Sequence, residues 1–423
     1  MSAAGVAVAV TGGAGASCSR GGETKTKPKG REVYICGAVR TPIGKGRKSG
    51  ALYGMHPAQL FAATLAELVE RTGVDVSAID DVVGGVVTPV GRQGANVPRL
   101  AALAAGFPVS VPGVQLNRMC GSGQQAVHFG AAAIGAGDME VVVAGGVEMM
   151  STEKMASDVS MEGMGELVAA GFPHRLLHQG MSAELVAEKY GITRQEADDL
   201  AAESHRRAAH ASKHGYFESQ MFPVRVEKED GSEVVLDRDE GVRESIDPAK
   251  MAGLKTVFKA ENGVVTAGNA SQISDGAAAL LLASGEAAEA LGLRKRARFV
   301  ARVVVGSDPE VMLDGVIPAT EKALAIAGLG IEDIDAFEVN EAFATVVLAW
   351  VKTFKPSDGL ARVNPDGGAI AHGHPLGASG AVLMTKLVSH LERVGGRYGL
   401  QVMCIGHGQA TCTVVECLRG SKL

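Results

Sequence analysis

VQLNRMCGSGQQAVHFGAAAIGAG at residues 114–137 and VNPDGGAIAHGHPLGASGAVLMTKLV at residues 363–388 follow one plan. Each approaches a glycine-rich turn carrying a reactive side chain and runs on into a helix of small residues. The stretches around them repeat in the same order, so the chain reads as two related halves. In the first half, REVYICGAVRTPIGK (31–45) is an entering strand, IDDVVGGVV (79–87) a short apolar strand, and MEVVVAGGVEMM (139–150) a strand ending in glycines. In the second, ARFVARVVVGSDP (297–309), IEDIDAFEVNEAF (331–343) and YGLQVMCIGHGQATCTVVE (398–416) take those places. Strands that alternate with helices and read as continuous Val/Ile runs predict an α/β architecture, each half contributing one sheet buried on both faces.

The expected organisation has four parts. Residues 1–30 form a small-residue leader, and 31–150 with 265–295 form the first half. Residues 151–264, with charged helical stretches and the turn-rich KEDGSEVVLDRDEG, form an inserted loop domain; 296–420 form the second half. Composition narrows the function classes. Lys and Arg number 41 against 47 Asp and Glu, a net charge of -6, which supplies no basic field for nucleic acid. Apolar runs such as 277–283 are too short to span a bilayer. Six cysteines without C-x-x-C spacing suit a reducing compartment and neither a disulfide framework nor a zinc site. Ser421-Lys422-Leu423 matches the peroxisomal address and implies a peroxisomal import receptor as a partner. A mitochondrial transit peptide is the weaker reading, because Arg20 is the only arginine in the leader.

Four positions carry candidate chemistry. Cys120 stands just before a predicted helix start, where unpaired N–H groups and the macrodipole favour a thiolate; a nucleophile or a small buried hydrophobe both fit. His374 sits at a turn where one ring nitrogen can serve as a base for a neighbouring thiol, and His372 beside it is structural unless the pair ligates a metal. Cys404 ends an apolar strand before a glycine turn, as half of a redox pair or as a proton-transferring thiol. Asn340 in VNEAFA either holds a water by its amide or caps a helix.

NRMCGSG, GNASQISDGAAA, VNEAFA, GGAIAHGHPLGASG and CIGHG, in that order, resemble the thiolase family, the 3-ketoacyl-CoA thiolases and acetyl-CoA acetyltransferases, over nearly everything after Arg31. The resemblance implies a duplicated fold of two similar mixed-sheet halves in a layered αβαβα arrangement. It also implies CoA-dependent cleavage of a 3-ketoacyl-CoA through an acyl-Cys120 intermediate, with Claisen condensation in reverse. His374 would activate Cys120, and Cys404 would protonate the acetyl-CoA enolate. One oxyanion site would comprise His374 and a water on Asn340; the other would comprise the backbone N–H groups of Cys120 and Gly406. Ser271 would contact the pantetheine arm, and basic residues near 194–213 would be available to the CoA phosphates. Coenzyme A enters as co-substrate with no permanently bound cofactor, and the assembly would be a homodimer or homotetramer. An acetoacetyl-CoA-specific acetyltransferase is the near alternative, and a ketoacyl-synthase-like condensing enzyme, expected to lack the second cysteine, is the distant one. The sequence departs from the family where His407 replaces a frequent glycine, and the covering segment 151–181 is short.

Overall fold

The first half begins with β1 (Val33–Arg40), the short β2 (Gly44–Lys45), β3 (Asp81–Gly85), β4 (Gly113–Leu116) and β5 (Val141–Met149). A hairpin of β6 (Val224–Glu227) and β7 (Glu233–Leu236) lies apart from the main sheet, and β8 (Ser274–Ser284) completes the half. The second half comprises β9 (Ala297–Gly306), β10 (Ala336–Val339), β11 (Tyr398–Ile405) and β12 (Gln409–Cys417). The computed structural model describes residues 30–228 and 230–418. The leader up to residue 29 and the tripeptide Ser421-Lys422-Leu423 lie outside the described residues.

The duplication read from the sequence is visible in the strand order. The first half runs β1-β8-β5-β3-β4 and the second β9-β12-β11-β10. In each, the first two pairings are antiparallel and the next is parallel. The counterpart of β4 is reduced to one parallel bridge, Phe337 to Val363. The half sheets join where Tyr34 and Ile35 pair with Arg298 and Ala297, so hydrogen bonding runs through ten strands.

Layering follows from strand alternation inside uniformly apolar runs. Val141 and Val143 of β5 and Leu281 of β8 pack with Phe61 and Leu65 of the outer helix Pro57–Thr72. Their neighbours Val142, Leu280 and Leu282 turn to the opposite face and pack with Val127 and Ile134 of the helix Ser122–Ala136 and with Val382 and Leu387 of the helix Leu376–Val394. Those two central helices also meet Ala336 and Val415 of the second half. An outer helix, Val316–Ala327, covers the far side with Ala319 and Ala323 against Val303 and Val414. Helix, sheet, helix pair, sheet and helix give the five layers.

Part of the inserted segment is packed into the cores of both halves. Ala183, Val186, Ala197 and Leu200 from its helices join the core of the second half, while Phe222, Val224 and Leu236 around the β6-β7 hairpin join that of the first.

The central helices cross very closely. A Cβ on Gly380 would lie 2.1 Å from the backbone nitrogen of Gln124, and one on Gly123 would lie 2.8 Å from the carbonyl oxygen of Gly377. Neither atom can yield without moving a helix. Gly380→Ala should therefore cost at least about 3 kcal/mol of stability by overpacking. Denaturant titration checks this, and a variant within about 1 kcal/mol of the parent contradicts a rigid crossing.

Candidate active site

Cys120 is held by the turn that precedes its helix. Met119 adopts φ of 45°, a left-handed conformation that is uncommon for a side chain of its size. Three side-chain bonds fix the turn: Met119 N–H donates to Asn117 Oδ1 (2.7 Å), Arg118 N–H to Ser122 Oγ (2.8 Å), and Ser122 Oγ to the Met119 carbonyl (2.6 Å). Asn117 in turn donates to the Val87 carbonyl at 2.8 Å. The sulfur sits in an apolar cluster with Val87, Met150 and Leu376.

His374 is positioned just before the second central helix. Its backbone N–H donates to Ser274 Oγ at 3.2 Å, and its Nδ1 lies 2.5 Å from Ser379 Oγ. Since Ser379 Oγ donates its own proton to the Pro375 carbonyl at 2.8 Å, it accepts from Nδ1–H. Nε2 is then the unprotonated nitrogen, and Asn340 Nδ2 approaches it at 3.4 Å. Burial pushes the imidazole down to about 4, so it is neutral at physiological pH.

The thiolate expected at Cys120 is overturned. Burial pushes its thiol up to about 11, outweighing the Gln179 side chain and the backbone N–H groups of Cys120 and Gly406, which act in the opposite direction. At rest both the Cys120 thiol and the His374 imidazole are thus neutral. Cys404 is raised further, first by burial and then by the charge that Cys120 would carry. That influence places Cys404 within electrostatic reach of Cys120.

Cys120, His374, Gly406 and Ser271 line one cavity of about 500 Å³, within the range of small-molecule sites. Asn340 and Cys404 stand behind this wall, each 1% exposed. Asn340 N–H donates to the Val402 carbonyl, and no helix begins on it: the next helix is Ala344–Phe354, so the capping reading falls away. His372 is structural, its ring held by Asp239 Oδ2 (2.7 Å) and the Asp366 carbonyl (2.9 Å). His407 has φ of 60°, the conformation a glycine takes without strain; it is exposed and also touches the cavity.

Sequence reasoning missed several contributors. Glu148, buried at the end of β5, accepts from the N–H groups of Val87 (2.8 Å), Thr88 (3.1 Å) and Gly377 (2.8 Å) and from Gln93 Nε2 (2.8 Å). It ties the wall beside Cys120 to the first turn of the His374 helix. Ser379 and Gln179 were also passed over, although Ser379 stands one helical turn into the His374 motif and its hydroxyl could have been suspected. Three of the basic residues expected to await CoA have partners within the chain, while Lys213 is exposed. Arg194 binds Asp198 and the carbonyls of Met251 and Leu254, while Arg206 and Arg207 bind Glu203.

Two family models match the chain: Thiolase, N-terminal domain, over residues 33–286, and Thiolase, C-terminal domain, over residues 293–417. The chain belongs to the thiolase family. It is 48% identical to the steroid 3-ketoacyl-CoA thiolase FadA6 of Mycobacterium tuberculosis, covering 91% of this chain and 94% of that one. Identity to a beta-ketoadipyl-CoA thiolase of Acinetobacter baylyi is 42%, covering 91% and 99%. Among solved structures, the Bacillus anthracis acetyl-CoA acetyltransferase superposes with a TM-score of 0.84 at 38% identity, covering 92% of this chain and 100% of that one. The human mitochondrial 3-ketoacyl-CoA thiolase gives 0.83 at 34%, covering 92% and 99%. This thiolase is accordingly an acyltransferase that uses CoA and 3-ketoacyl-CoA substrates.

Two predictions test the geometry. Ser379→Ala frees Nδ1 and lets the ring change tautomer, so kcat should fall about tenfold or more with little change in KM, a loss on the scale of one acid–base contribution. An unchanged kcat contradicts the tautomer assignment. Asp275, whose Oδ1 accepts from the Ser151 N–H (2.8 Å) at the root of the covering segment, is pushed up to about 6, first by burial. A carboxyl raised in the fold loses stability as pH climbs from its unfolded value near 4 to about 6 and carries that cost above it. Asp275→Asn should therefore gain about 2 kcal/mol at pH 7.5 and almost nothing at pH 4. Equal effects at the two pH values in thermal melts would contradict the burial argument.

Proposed function

We propose that Cys120, His374 and Cys404 divide the thiolysis of a 3-ketoacyl-CoA between them. The observation carrying this reading is the neutral thiol–imidazole pair at the cavity wall with a second buried thiol in its electrostatic reach. Nε2 of His374, its lone pair free, takes the Cys120 proton as the sulfur attacks the C3 carbonyl. The C2–C3 bond then breaks, its electron pair passing into the enolate of acetyl-CoA. Cys404 protonates that enolate at C2. Free CoA, losing its thiol proton to the Cys404 thiolate left by that step, attacks the acyl-Cys120 thioester; the Cys120 sulfur it displaces takes back the proton held on His374, and the shortened acyl chain leaves on CoA.

The N–H groups of Cys120 and Gly406 point their positive ends at the Cys120 sulfur and suit the oxygen of the thioester formed there. A water held by Asn340, together with His374, serves the other oxyanion, and Ser271, which lines the same cavity, is the pantetheine contact. Residues 151–264 serve as the segment that covers the acyl site and receives CoA. Cytoplasmic or organellar placement is a separate matter. Peroxisomal import through Ser421-Lys422-Leu423 rests on the tripeptide alone, and both sequence relatives named above are bacterial; a fluorescent fusion with and without these residues tests it. A homodimer or homotetramer is the expected assembly, readable by light scattering.

Cys120→Ala should abolish turnover and acyl labelling, by a factor of at least about 10⁴ in kcat, while leaving the fold intact. Cys404→Ala should still be acylated at position 120 by an acyl-CoA donor but should fail to complete carbon–carbon cleavage. Mass spectrometry of the trapped enzyme separates the two steps, and loss of both in the Cys404 variant would sink the division of labour.

A further inference from the structure

We infer that the acyl end of the cavity accepts an uncharged apolar chain and rejects one ending in a carboxylate, with Asp158 as a specificity-determining residue. This rests on the thiolysis proposed above. The apolar cluster around the Cys120 sulfur, Val87, Met150 and Leu376, marks the side of the cavity to which an acyl group on that sulfur would extend. The covering segment adds Met155, Val159, Met164 and Leu177 to the lining of the same cavity. Methionine side chains adapt to irregular apolar shapes, which suits chains that differ in length or branching. The helix Met161–Ala169 carries Met164 and buries none of its own residues, while Met155 and Val159 remain 47% and 44% exposed. An apolar acyl group laid beneath this segment supplies the partner those side chains lack.

The charge on the wall argues the same way. Among the described residues, no lysine or arginine lines the cavity, and its acidic residue is Asp158 on the covering segment. Of its imidazoles, His374 is kept neutral by burial, and His178 stacks on Phe258 with Nδ1 accepting from the Gly180 N–H. His407 stands exposed at the β11-β12 turn. A terminal carboxylate would have to give up water among methionines, without a guanidinium or ammonium to receive it and with Asp158 repelling it. A methyl-ended chain meets neither cost.

The test compares kcat/KM for 3-ketooctanoyl-CoA with that for its carboxylate-ended counterpart, 3-ketosuberyl-CoA, using acetoacetyl-CoA as a reference. The methyl-ended substrate should be preferred at least about thirtyfold. In Asp158→Arg, which supplies a counter-ion at an exposed position, the preference should shrink about tenfold, and in Asp158→Asn by a few-fold. A parent preference below about threefold, or an Asp158→Arg ratio equal to the parent's, overturns the inference while leaving thiolysis standing. Failure to cleave any of the three substrates would instead remove the reading on which it rests.

Discussion

The contact on which the rest of the molecule depends is the near-touching of the helices Ser122–Ala136 and Leu376–Val394 at Gly123, Gly377 and Gly380. Where they cross, a layer squeezed between two sheets leaves no room for side chains, so glycines meet there, and buried glutamines on either side of the contact lock it. Gln124 donates to Thr413 Oγ1 (2.7 Å) and accepts from Thr411 Oγ1 (2.7 Å), and Gln401 donates to the Gly380 carbonyl (2.8 Å). These hydrogen bonds fix the register of the helices against the second sheet in a way that apolar packing alone would not direct. Because both helices begin at the same edge of the layer, the reactive residues that precede them, Cys120 and His374, are delivered to one cavity.

Electrostatics at that edge are set by a contest between helix starts and burial, and burial wins. An N-terminus offers a thiolate at most a few kcal/mol, whereas an enclosed apolar setting costs a lone charge more. The same conflict appears at Glu148, raised by burial despite accepting four hydrogen bonds. The site rests with its nucleophile and base both neutral. Charge separation is then deferred until a substrate carbonyl can share it, and an unpaired thiolate is not exposed to oxidation in the meantime.

The duplication and the positions of Cys120 and His374 before small-residue helices were legible because each depends on local pattern: apolar runs, glycine turns and the helix that follows. Ser379, Gln179 and Glu148 were not, since their roles arise where segments distant in sequence meet. Glu148 reads in VEMM as an acid ending a strand, and only the fold brings Val87, Gln93 and Gly377 around it. Arg194 and Arg207 looked free for phosphate for the converse reason: their partners at 251–254 and 360–364 are remote in the chain. The thiolate was misjudged because a helix start is visible in sequence and the depth of its burial is not.

The cavity has two walls of different mechanical character, and this separates chemistry from selectivity. One wall is the glycine-locked helix pair with Asn340 and Cys404 immediately behind it, every group nearly fully enclosed and hydrogen-bonded or tightly packed. The other is the covering segment, anchored at its root by Asp275 through Ser151 and capped at Ser160, whose Oγ accepts from the Gly163 N–H, but otherwise exposed. Displacing a side chain of the first wall disturbs the tautomer of His374 or the turn at Met119. Displacing one of the second changes only what the acyl chain rests against. Differences in substrate can accordingly be accommodated in residues 151–178 without disturbing the neutral thiol and imidazole that perform the bond breaking.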